Sequence, residues 1–150
     1  MPSLSPRIAS TPHSGIRRMA ADLMENADVR ILISTAGSPY PLGAAMERNL
    51  FRIVQEAVAN AIRHATARQI DVDVRFSPDT VRIMVSDDGR GFDTLAASGG
   101  FGLTSMRERA GEIGASFDIE SRTDSGTSVT VTVLAARGVS RASDRGQTTV

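Results

Sequence analysis

Three groups of residues in this 150-residue sequence could act together chemically. The first is Asp87-Asp-Gly-Arg-Gly91, a carboxylate followed by closely spaced glycines. Glycine accepts positive φ and lets backbone approach a ligand, because no Cβ stands in the way. The second is Gly99, Gly100 and Gly102, which open the helical run Leu103-Thr-Ser-Met-Arg-Glu-Arg-Ala110. A glycine-rich turn feeding a helix N-terminus suits anions, since unpaired N–H groups point outward there. The third is Glu56, Asn60, Arg63 and His64, at offsets of four, seven and eight from the first. Those offsets share one face of a helix. Amide and carboxylate oxygens are hard ligands, and Mg²⁺ characteristically takes one or two of them and keeps several waters. An acceptor, an anion seat and hard oxygens together point to a nucleotide site. Asp87-Asp-Gly89 alone would also suit a hairpin turn. The long gap before the next glycines, and the helical pattern after it, argue against a tight hairpin.

These groups need elements to hold them. Val81, Ile83 and Val85 alternate and predict a strand that ends at Asp87. Leu50, Ile53, Val54, Ala57, Val58, Ala61 and Ile62 recur at three and four, predicting a helix from about Leu42 to Ala65. A shorter helix is predicted over Ser14 to Asn26, and a strand from Val29 to about Thr35. Ile70, Val72 and Val74 predict a strand over 69–76, joined through Ser77-Pro-Asp-Thr80 to the Asp87 strand as a hairpin. Helix 103–113 should stop at Gly114. Strands over 116–122 and 128–134 should form a second hairpin around Thr123-Asp-Ser-Gly-Thr127. The order α-β-α-β-β-α-β-β implies an α+β, two-layer sandwich, with a mixed, mostly antiparallel sheet and helices on one face. Residues 1–13 read as a flexible lead-in, 14–134 as the domain, and 135–150 as a disordered tail.

Composition narrows the chemistry. Apolar residues make up 41% and charged residues 23%, ordinary for a globular domain. Seventeen basic residues balance seventeen acidic ones, which gives no reason to expect nucleic acid or an anionic membrane as partner. With no cysteine, disulfides, thiolate catalysis and cysteine-ligated zinc are excluded. Every basic residue is arginine. A P-loop needs a lysine on the phosphates, and a eukaryotic-type protein kinase needs one on a strand, so both are excluded. No apolar run nears the roughly 20 residues of a membrane span, and Met1 to Arg7 lacks a signal-peptide core. The expectation is a cytoplasmic domain, with any membrane anchor elsewhere in a full-length protein.

Gln55-Glu-Ala-Val-Ala-Asn60 with Arg63-His-Ala65 resembles the N box of the Bergerat-fold ATPases. That superfamily includes gyrase B, MutL, a heat-shock chaperone and bacterial histidine kinases. Asp87-Asp-Gly-Arg-Gly91 resembles its D-x-G-x-G box, Gly100-Phe-Gly-Leu103 its G-x-G-L box, and Gly126-Thr127 its last box. Leu50 to Ala57 and Gly102 to Ala110 resemble, more narrowly, sensor kinases of the nitrate- and oxygen-sensing type. The resemblance implies ATP and Mg²⁺ as ligands. It implies that Asp87 accepts a hydrogen bond from the adenine 6-amino group and that Gly91 admits the base, with Gly89 beside it. Asn60 would bind Mg²⁺, and Glu56 would lie near the metal and its waters, these two being the catalytic pair. Arg63 and His64 would border the nucleotide. Gly100, Phe101, Gly102 and Leu103 would meet the phosphates, and Thr127 the adenine side. Residues 92–101 would be a short lid, mobile until nucleotide binds.

A histidine kinase also needs a phosphoacceptor histidine. Neither His13 nor His64 has the sequence surroundings of one. The expected partners are therefore a histidine-containing dimerisation domain, on the same or another chain, and a response regulator with a helix-turn-helix output domain. No direct contact with nucleic acid or membrane is expected. The competing reading is an anti-sigma-type regulatory serine kinase of the same fold. A gyrase-like hydrolase with Glu56 as general base would need a lysine that this sequence lacks.

Overall fold

A computed structural model of the chain describes residues 12–63, 66–91 and 102–135. The lead-in before residue 12, His64, the expected lid with Gly100 and Phe101, and the tail from residue 136 lie outside the described residues. The elements in order are α1 (Pro12–Asn26), β1 (Arg30–Ala36), α2 (Ala44–Arg63), β2 (Gln69–Phe76), β3 (Thr80–Asp87), α3 (Leu103–Glu112), β4 (Ser116–Ser121) and β5 (Thr127–Leu134).

The five strands form one sheet in the order β1-β2-β3-β5-β4. β1 and β2 are parallel, and the other pairs are antiparallel. A parallel pair requires a crossover, and α2 supplies it. Period two then sorts the side chains. Ile31, Ile70, Val72, Val74, Val81, Ile83, Val85, Val129, Val131 and Val133 are buried on one face. Arg75, Arg82 and Asp71 occupy the alternate, exposed positions. The three helices among the described residues pack on the apolar face. α2 lays Leu50, Ile53, Val54, Ala57, Val58 and Ala61 against it, each at most 5% exposed. Full burial of a Val, Leu or Ile contributes about 1.5–3 kcal/mol. This stripe therefore outweighs the helix propensity of the segment.

Boundaries depart from the sequence reading for local reasons. α1 opens at Pro12, two residues inside the expected lead-in; proline is favoured in a first helical turn, where its missing N–H is no loss. α2 starts at Ala44, because Gly43 has φ 101°. There the Glu47 carboxylate reaches back to the Leu42 N–H at 2.9 Å. Ala135, expected in the tail, is fully buried, and its N–H donates to the Asp79 carbonyl at 2.8 Å.

Candidate nucleotide site

Asp87 continues the stripe Val81, Ile83, Val85 by one more step of two. Its side chain therefore belongs to the helix-covered face, at the end of β3. The strand register sets Ile70 on one side of it and Thr127 on the other, with Ser121 beyond Thr127. Asp87 Oδ1 accepts the Gly89 N–H at 2.8 Å, so the chain turns back at once after the strand. Burial pushes the Asp87 carboxyl above the ordinary carboxylate value, and the nearby Asp88 charge pushes the same way. The N–H groups of Gly89 and Thr127 oppose the shift. A carboxyl left on a half-buried face beyond the last apolar residue is costly unless something uses it.

Thr127 Oγ1 and Ser121 Oγ lie 2.7 Å apart, forming a hydroxyl pair beside Asp87. Ser121 was not singled out in the sequence, although it follows Phe117 and Ile119 at the same period of two. Gly126, just before Thr127, has φ 82° and turns its Cα towards the Asp87 carbonyl, which a Cβ would overlap. Gly91 has φ 63°, and a Cβ there would run into the Arg122 carbonyl. Packing within the protein is thus enough to require glycine at 91. The Asp124 N–H donates to the Arg90 carbonyl, which ties the Asp87 loop to the β4–β5 turn. A cleft of about 590 Å³ at this end of the sheet takes in Asp87, Ser121, Gly126 and Thr127, together with Ser86, Glu120 and Ser128.

The second half of the site is the last two turns of α2. The chain passes from Arg63 through residues 66–68 into β2, whose Ile70 stands opposite Asp87. The end of α2 and the end of β3 therefore lie at the same end of the sheet. Glu56 and Arg63 approach to 4.0 Å on the partly exposed flank of the helix. An exposed pair at that separation stabilises by roughly 0–1 kcal/mol. Asn60 Oδ1 is shut off from solvent.

α3 completes the arrangement. Gly102 sits at its N-cap with φ 67°, and no side chain among the described residues caps the helix. A Cβ on Gly102 would stand 2.6 Å from Glu56 Oε2 and 2.8 Å from Glu56 Cδ. The G-x-G-L glycine and the N-box glutamate are thus in contact, and a side chain at 102 would have to displace the Glu56 carboxylate and hold a positive φ. Leu103, buried at 7% exposure, anchors the helix just behind. The first N–H groups of a helix have no partners within it. Here they are next to a stripe of hard oxygens. Among the described residues no group of three or more His, Asp or Glu side chains could cage a metal alone. A cation here would take one or two protein oxygens and complete its shell from phosphate and water, the habit of Mg²⁺.

Residues 45–137 match the family model for the histidine kinase-, DNA gyrase B- and HSP90-like ATPases. The chain belongs to this family. The sensor protein VraS of Staphylococcus haemolyticus is 37% identical over 120 residues, covering 78% of this chain and 33% of that protein. VraS of Staphylococcus epidermidis is 36% identical over 118 residues, with the same coverage of 78% and 33%. The chain thus spans about a third of the length of these curated relatives, 33%. The histidine kinase domain of the Erythrobacter litoralis blue-light-activated kinase superposes with a TM-score of 0.68 at 19% identity, covering 85% of this chain and 63% of that one. The ATP-binding domain of PrrB from Mycobacterium tuberculosis gives a TM-score of 0.67 at 18% identity, covering 83% and 94%. The fold is that of histidine kinase ATP-binding domains, the two-layer α+β sandwich expected from the sequence. Asp87, Gly89, Gly91 and Thr127 come together at the end of β3 and the start of β5. Glu56, Gly102 and Leu103 come together at the start of α3, with Asn60 and Arg63 on the same stripe of α2.

Proposed function

We propose that this chain is the ATP-binding catalytic part of a two-component sensor histidine kinase. It would deliver the γ-phosphoryl group of ATP to a histidine on a separate dimerisation domain, from which a response regulator with a helix-turn-helix output domain takes it. The observation that carries this reading is the Asp87 carboxylate. It ends an otherwise apolar stripe on the helix-covered face, at the same end of the sheet as Glu56, Asn60 and the bare N-terminus of α3. The likeness to the VraS sensor proteins favours a sensor kinase over an anti-sigma-type serine kinase.

Each residue has a task that its chemistry suits. Asp87 offers only acceptors, which fits a 6-amino group and disfavours a 6-oxo group. Thr127 and Ser121 line the same side with hydroxyls. The N–H groups at the start of α3 bind phosphate oxygens. Asn60 and Glu56 fit Mg²⁺ by the hardness of their oxygens; Mg²⁺, when bound, draws charge from the triphosphate and so eases phosphoryl transfer. Arg63 steadies Glu56 and adds positive charge at the border. Glu56 also holds and orients water there, and its closeness to Gly102 sets where the phosphate seat begins. Transfer then depends on an acceptor brought in line, since positioning and electrostatics do most of the work in phosphoryl transfer. No described helix is long and apolar enough to cross a membrane. We place the domain on the cytoplasmic side, where ATP is.

The test combines calorimetry with radiolabelled ATP. The chain should bind ATP more tightly than GTP, and more tightly with Mg²⁺. Alone it should show almost no autophosphorylation and only slow hydrolysis. A cognate dimerisation domain added in trans should acquire acid-labile label. Acid-labile label on the isolated chain that disappears in His13→Ala or His64→Ala would overturn the need for a separate acceptor.

A further inference from the structure

Asp88 is fully exposed, yet its carboxylate is committed. An aspartate in a glycine-rich turn usually bonds within its own loop. Here Oδ1 accepts two successive N–H groups from another segment, Arg68 at 2.9 Å and Gln69 at 3.0 Å. The Asp88 N–H returns a bond to the Gln69 carbonyl at 3.3 Å. These two N–H bonds hold the carboxyl below the ordinary carboxylate value, so it stays ionised and keeps both. The segment it grips is the exit from α2. One residue earlier, the Ala67 N–H closes onto the Ala61 carbonyl, which fastens that exit to the last turns of the helix. A chain of three short links therefore runs from Asp87 through Asp88 to residues 67–69 and on to the turn of α2 that carries Asn60.

We propose that Asp88 is a positioning residue that sets the spacing between the adenine-binding end of the site, Asp87, and its metal and phosphate end, Asn60 and Glu56. The inference rests on the ATP-binding reading above. A ligand that spans both ends gains only if the two are the right distance apart. A ligand that uses one end is indifferent to it. Asp88 lines neither end: its charge is felt at Asp87, where it pushes the carboxyl up, while its hold on the spacing passes through the backbone of residues 67–69.

Adenosine and Mg²⁺·ATP separate these cases. Binding of each to the full chain is followed by NMR titration, and the ratio of the two affinities is the readout. In Asp88→Ala the adenosine affinity should stay within about twofold of wild type, while the Mg²⁺·ATP affinity falls about tenfold, the size of one lost charge-assisted hydrogen bond. Asp88→Asn keeps an acceptor oxygen at the same reach and should retain most of the ratio. Asp88→Glu keeps the charge but lengthens the link, and should lose the ratio despite it. Should Asp88→Ala not yield folded protein, the Asn and Glu pair carries the test. Loss of stability alone would lower both affinities together or neither. A full ratio in both Asp88→Ala and Asp88→Glu overturns the role of Asp88, provided the wild type binds both ligands. A wild type that binds neither overturns the ATP-binding reading itself.

Discussion

Asn in place of Asp87 exchanges an acceptor-only side chain for one that also donates, with almost no change in shape. Two effects of opposite sign follow from where Asp87 sits. Burial raises its carboxyl above the 3.8 it has when exposed, so the folded protein holds the proton more firmly than the unfolded chain. Such a group contributes stability that is fully present below the unfolded value and is lost as pH rises through the folded value. Asp87→Asn removes that loss. Without ligand the variant should melt no lower than wild type at neutral pH. Its stability advantage should grow as pH rises from about 3.8 and then level off. Nucleotide binding should move the other way. A hydrogen bond to a charged group is worth about 1.5–3 kcal/mol, so ATP affinity should fall roughly 10- to 150-fold. Asn can turn its amide to donate to a 6-oxo group, so the preference for ATP over GTP should shrink as well. Calorimetric titration with both nucleotides, alongside melting curves from pH 3 to 8, reads the stability, the affinity and the nucleotide preference together. An ATP affinity equal to wild type would refute the adenine role of Asp87, whatever the melting curves show.

The other perturbations each touch one structural feature. Asn60→Ala should abolish the strengthening of ATP binding by Mg²⁺, whereas Asn60→Asp should keep an oxygen ligand but weaken Mg²⁺-free binding through added negative charge; normal Mg²⁺ dependence in both would remove Asn60 from the metal site. Gly126→Ala should destabilise the fold by about 1–3 kcal/mol in urea titration, since φ 82° and the Asp87 carbonyl both oppose a Cβ there. Thr35→Val should stabilise by about 1 kcal/mol, because Thr35 Oγ1 is buried with no hydrogen-bond partner among the described residues. A lower midpoint for Thr35→Val would mean that the hydroxyl is satisfied after all.

Local pattern carried most of the architecture. Strand alternation implies the face that Asp87 occupies, because Val81, Ile83 and Val85 fix the phase and the carboxylate inherits it. The α2 stripe likewise put Glu56, Asn60 and Arg63 on one flank. What period cannot say is which distant segment a side chain meets. Nothing in Asp87-Asp-Gly89 indicates that Asp88 reaches across to residues 68 and 69 and not into its own turn. Nor does the sequence reveal that Glu56 lies against Gly102, or that packing at Arg122 requires glycine at 91. These are contacts between elements, set by the sheet order β1-β2-β3-β5-β4. No window of neighbouring residues contains that order.

The pairing of β3 with β5 bears on how the chain acquires function as it folds. Asp87 and Thr127 stand opposite each other, yet α3 and β4 separate them in sequence. Contacts between segments so far apart are closed late, because the loop entropy is lost before the contacts repay it. A chain emerging from the ribosome can form the β2–β3 hairpin early, but the candidate nucleotide site is incomplete until β5 has been inserted between β3 and β4. Competence to bind should therefore arrive with the slowest refolding phase. A fluorescent adenine nucleotide added during refolding would then report completion of the whole sheet, and a signal that rises ahead of β5 insertion would contradict this order of events.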